Sequence, residues 1–214
     1  SGLPDGEATA PEWSYRLVGD EKWLESGRGR LVLQRLGLWN QLKIVSRPDP
    51  LMLAINPRAW QEALTINLVI ENKSPFHALM DALPGTPWLS IIYGAGWKAT
   101  ADLPLLEKQL GREHEPLKVY YFGDLDYEGI SIWHALNGER RVEPALNFYR
   151  ALLDKSAARG KEGQRCNRAA LEHFTGFFSP GERQQIVDIL ADGAYYPQEI
   201  LSREELTLLG RKGP

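Results

Sequence analysis

The sequence predicts an α/β fold: a mainly parallel four-stranded sheet flanked by helices, with a small N-terminal α+β module and a helical C-terminal part. Three observations predict it. From Thr65 onward, short apolar runs alternate with stretches of helical period, the pattern of βαβ units. One run, Val119 to Phe122, is β-branched and aromatic throughout, as a strand covered on both faces should be. It stops at Gly123, and Ile130, Trp133 and Leu136 then follow at helical spacing.

Residues 1 to 12 hold Gly, Pro, Asp, Glu and Ala with little to bury and read as a flexible leader, one that begins mid-protein after a Ser1-Gly2 scar. Residues 13 to 63 read as the small module. Two helical pieces lie between Tyr15 and Trp39, interrupted at Ser26-Gly27-Arg28-Gly29. Strands follow at Leu42–Ser46 and Leu51–Ile55, with Arg47-Pro48-Asp49-Pro50 as the turn of a hairpin. Asn56-Pro57 opens a short helix.

The main domain is predicted over residues 64 to 214. Its strands are Thr65–Ile70, Leu89–Tyr93, Lys118–Phe122 and roughly Arg140–Glu143. Helices are expected at Phe76–Leu83, Leu103–Leu110 and Gly129–Asn137, then at Pro144–Leu153, Asn167–Phe174, Pro180–Leu190 and Ser202–Leu209.

The balance of charge, −3 over 214 residues, excludes a bulk polyanion binder, so any nucleic-acid contact has to be local, bridged by metal, or supplied by other segments or subunits. No apolar run is long enough to cross a membrane. The single Cys166 rules out an internal disulfide framework and suits a cytoplasmic home. With four scattered histidines, it makes no zinc site.

The chemistry is concentrated in acids at strand ends. Asp124-Leu125-Asp126 follows one strand, and Glu71 closes another, at the carboxyl edge where open α/β sheets bind ligands. Two carboxylates about 4 Å apart repel by roughly 4 kcal/mol at an effective dielectric near 20. One must take a proton, or a hard divalent cation must sit between them. The plainer reading is that an Asp caps the next helix, a task one Asp would fill.

These residues resemble a known family. Glu71, the Gly-bearing strand end Tyr93-Gly94-Ala95-Gly96, and Asp124-Leu125-Asp126 with Gly129 look like a Toprim domain, in the manner of the topoisomerase VI A subunit and Spo-type proteins. "YYFGDLDYEGISIWHAL", "LVIENKSPFHAL" and "YYPQEILSREEL" resemble the C-terminal domain of JetD, the nuclease subunit of Wadjet plasmid defence. The resemblance implies Mg2+- or Mn2+-dependent cleavage of double-stranded DNA, with Glu71, Asp124 and Asp126 as catalytic metal ligands. Glu128 would join a second metal or cap the helix, and Glu199 would support the ligands. It also implies SMC/condensin-like partner subunits and a homodimer at full length. No nucleophilic Tyr on a winged-helix domain reads here, so that part lies upstream or is dispensed with.

Other residues carry two readings each. Gly94-Ala95-Gly96, Lys98 and Lys73 are phosphate contacts or an ordinary turn and solvated lysines. The net-basic stretch Lys155 to Arg165 is a linker or a DNA contact. His77, His114, His134 and His173 read as packing or surface residues, and Trp88, Trp97 and Trp133 as packing rather than base stacking. Two rivals remain: a haloacid-dehalogenase-like phosphotransferase using the Asp pair, and a catalytically silent Toprim-like interaction module.

Overall fold

The computed structural model describes residues 6–161 and 163–214. The first five residues of the predicted leader lie outside them. Two compact units divide between Asp49 and Pro50, earlier than the division after residue 63 that the sequence led us to expect.

In the first unit, β1 (Glu7–Ala8) pairs in parallel with β2 (Lys43–Ile44). Between them lie α1 (Ala10–Val18), started by the reciprocal capping of Thr9 and Glu12, and α2 (Arg28–Arg35). Ala8, Trp13, Leu24, Leu33 and Leu42 form its core. Residues 7 to 12, expected in the leader, are thus ordered into a strand and a capped helix.

The hairpin is a correction. Instead of folding back on 42–46, the next strand, β3 (Met52–Ile55), pairs antiparallel with Trp88–Tyr93 in the second unit. Pro48 and Pro50 fix φ and bias Arg47 and Asp49 towards extended backbone, so this linker does not make a tight reversal.

The second unit continues with β4 (Ile66–Ile70), α3 (Lys73–Ala82), β5 (Trp88–Tyr93), α4 (Lys98–Asp102), α5 (Leu106–Leu110) and β6 (Lys118–Phe122). Then come α6 (Tyr127–Glu139), β7 (Val142–Pro144), α7 (Leu146–Leu153), β8 (Ala158–Arg159), α8 (Arg168–Thr175), α9 (Pro180–Ala191), β9 (Ala194–Tyr195) and α10 (Arg203–Lys212). The helix predicted over Leu103–Leu110 opens instead as a 3-10 turn around Pro104 and becomes α-helical at Leu106.

The main sheet has five strands in the order β3-β5-β4-β6-β7. The four predicted strands run parallel, and β3 adds an antiparallel edge. Leu68, Val69, Ile70, Ile91, Ile92, Tyr121 and Phe122 are fully buried, which is why these strands read as continuous apolar runs. Among the described residues, no helix is long and apolar enough to cross a membrane.

The topology creates the site. From β4 the chain moves to β5 on one side, then returns to place β6 on the other. The carboxyl ends of β4 and β6 therefore flank a point where strand order reverses, the usual ligand crevice of an open parallel sheet. Ile70 is in register with Phe122, so Glu71 and Gly123 leave the sheet side by side.

Gly129 makes the turn after β6 possible: a Cβ there would lie 2.3 Å from the Asp124 carbonyl oxygen. Gly138, in the same helix, faces open space. Thermal denaturation should show Gly129→Ala lowering the melting temperature by several degrees. Gly138→Ala should be neutral or stabilising, by up to about 1 kcal/mol.

Candidate functional site

Glu71 stays attached to the sheet after β4 ends, its N–H donating to the Phe122 carbonyl at 3.0 Å. Its carboxylate turns inward and accepts the Tyr121 hydroxyl at 2.5 Å. Gly123 leaves room for this contact, because a Cβ there would lie 2.3 Å from the Glu71 Oε2. The Gly123 N–H donates to the Tyr149 hydroxyl at 2.9 Å, fixing the turn from below.

Asp124 is held by groups from two distant segments. Its Oδ1 accepts Asn72 Nδ2 at 3.0 Å and the backbone N–H of Gln198 at 2.8 Å. The Gln198 side chain is buried and spans the two strand ends, accepting the Asn72 N–H at 2.8 Å and donating to the Phe122 carbonyl at 2.9 Å. Asn72 Nδ2 also reaches Glu199 Oε2 at 3.2 Å, drawing a fourth acid towards the cluster.

Asp126 is the helix cap, since its Oδ1 accepts the Gly129 N–H at 2.7 Å. The capping reading is therefore correct for Asp126, but Asp124 has a different task. Asp126 Oδ2 accepts Gln164 Nε2 at 3.0 Å and pairs with Lys161 Nζ at 2.9 Å, although the side chain is only 2% exposed. Glu128 lies exposed in the first turn of α6.

Burial, and then mutual repulsion, perturb the acids of the cluster. Burial pushes the Glu71 carboxyl up to about 7; the Tyr121 hydrogen bond opposes this, while Asp124, Asp126 and Glu128 reinforce it. Burial likewise carries Asp124 up to about 6, with the Gln198 N–H pulling back, Asp126 and Glu199 pushing on, and Lys161 restraining it. Burial alone would lower Lys161, but its bond to Asp126 and the nearby Asp124 leave its ammonium above the ordinary value. Among the described residues, no three Asp, Glu, His or Cys side chains are already arranged around a metal position. Glu71 is turned to Tyr121, and Asp126 is held by Gly129, Gln164 and Lys161.

Glu71, Asp124 and Asp126 thus meet on one sheet edge, with Glu128 and Glu199 adding to their field. Sequence reasoning missed Asn72, Gln198 and the buried phenols of Tyr121 and Tyr149. It reached Lys161 and Gln164 only as part of a basic stretch. Asn72 and Gln198 each adjoin an acid already singled out, the one signal that could have flagged them. Trp88 and Trp133 are core residues whose indole N–H groups donate to the Gly210 and Val142 carbonyls. Trp97, by contrast, is half exposed. His134 and His173 pack against Trp133 rather than facing the acids.

A family model described as Wadjet protein JetD, C-terminal, matches residues 40–177, more than half of the chain. The chain therefore belongs to that family, in agreement with the resemblance read from residues 68–79 and 120–136. No curated protein and no solved structure matches it.

The pH dependence follows from the two raised carboxyls. Between about pH 4 and pH 7 the folded chain keeps protons that the unfolded chain has released, so stability falls as pH rises through this range. With chelator present, calorimetry should record a declining melting temperature from about pH 4.5 to about pH 7.5. Glu71→Gln should flatten the decline; an unchanged slope would place the responsible proton elsewhere.

Proposed function

From membership of the JetD C-terminal family, we propose that this chain is the metal-dependent, Toprim-like nuclease part of a Wadjet plasmid-defence complex and cuts double-stranded DNA. The observation that carries the reading is the convergence of Glu71, Asp124 and Asp126 at the strand-order reversal, where burial, reinforced by the neighbouring acids, raises the Glu71 and Asp124 carboxyls. An all-oxygen donor set of this kind fits Mg2+ or Mn2+. Glu71, Asp124 and Asp126 would hold the ion, with Glu128 available to a second one. When bound, such an ion neutralises charge on the scissile phosphate and lowers the pKa of an attacking water.

The chain's own residues supply the rest. Glu71, where it is not bound to the ion, would accept a proton from the attacking water. Asn72 and the Gln198 N–H fix one face of Asp124 and leave its other oxygen for a ligand. A groove beside the acids, lined by Trp97, Tyr127, Glu128, Arg165 and Cys166, offers a half-exposed indole and an exposed guanidinium to a nucleic-acid strand. SMC/condensin-like subunits and a second copy of the full-length protein complete the assembly in this reading.

An aspartyl-phosphate mechanism is less well supported, because Glu71 would then be incidental, whereas its carboxyl feels both aspartates. Nicking of supercoiled plasmid by the assembled complex with Mg2+ tests the proposal. Asp124→Asn and Glu71→Gln should each lower the rate by more than about 100-fold while the protein stays folded. Retained nicking in both variants would leave the interaction-module reading standing. Asp126→Ala should also lose activity, but with about 1 kcal/mol of lost stability because it removes a helix cap.

A further inference from the structure

We propose that Lys161 is the resident counter-cation of the acidic centre, holding Asp126 in the metal-free protein and competing with the divalent ion for that carboxylate. The inference rests on the metal-binding reading above and adds to it a residue from outside the strand–turn–helix motif.

The geometry is specific. Asp126 is almost sealed from solvent, and Lys161 Nζ lies 2.9 Å from its Oδ2. The other contacts to this carboxylate are the Gly129 N–H on Oδ1 and Gln164 Nε2 on Oδ2. Asp126 is therefore fully partnered by the protein. The lysine is held from its far side as well: its ammonium lies 5.1 Å from the Tyr195 ring centroid. That tyrosine belongs to β9, which pairs with β8 just before Lys161. Gln164 completes the clasp by accepting the Tyr127 N–H at 3.1 Å.

An exposed Lys–Asp pair contributes little, but here loss of the ammonium strands a carboxylate that water barely reaches. A divalent ion approaching Asp126 meets a like charge already bonded to the oxygen it needs. Removing that charge lowers the barrier to metal occupancy and increases the demand for it. A purely structural lysine would act in the opposite direction, since its loss would loosen the site and weaken metal binding.

Titration of the full chain with Mn2+, followed by electron paramagnetic resonance of the free ion, decides between them. Lys161→Ala and Lys161→Met should bind Mn2+ about fivefold to tenfold more tightly than the unaltered protein, the scale of one partly screened ion pair. Lys161→Arg, which keeps the charge, should stay close to the unaltered protein. Unchanged or weaker binding in Lys161→Ala and Lys161→Met, with melting still cooperative, would overturn the proposal and leave the metal reading intact. Absence of Mn2+ binding in every protein, including the unaltered one, would overturn both.

Discussion

Everything at this site depends on the parallel pairing of β4 with β6. That ladder sets Ile70 against Phe122, and the next residue on one strand donates its N–H to the last carbonyl of the other. Two segments fifty residues apart are thereby forced to release their acids at one point. A shift of one residue in register would turn every side chain of the strand to the opposite face. The buried faces of Leu68, Val69, Tyr121 and Phe122 make such a shift prohibitive. The hydrophobic sheet is in this sense what aims the carboxylates.

Holding acids in that crevice is unfavourable, and the surrounding polar groups show how the chain limits the cost. Each carboxylate has a donor: Tyr121 for Glu71, Asn72 and the Gln198 N–H for Asp124, and Gly129, Gln164 and Lys161 for Asp126. Compensation is uneven. Asp126 receives a full positive charge and a capping bond, whereas Glu71 receives one neutral hydroxyl and its carboxyl stays raised. Such unevenness is common where acids are arranged for reaction rather than for stability.

The parts of this arrangement legible in the sequence were those with local signatures. The parallel strands announced themselves as apolar runs, and Glu71, Asp124 and Asp126 could be assigned to one edge because each follows such a run. The pairing of β3 was hidden, because Arg47-Pro48-Asp49-Pro50 looks like a turn and the true partner lies beyond β4. Lys161 and Gln198 were hidden for a related reason. Their contacts depend on how β8, β9 and the segment after Tyr195 return to the sheet edge, and no short-range pattern encodes that return.

Gln198 also has a temporal consequence. It stands well past residue 177, yet its peptide N–H secures Asp124 and its amide joins Asn72 to the end of β6. During synthesis on the ribosome, the sheet and all three carboxylates emerge before this clamp exists. A nascent or prematurely ended chain thus carries the acids without the group that orients Asp124. The acidic centre therefore matures only after the chain has been made past Gln198, later than the sheet that carries it.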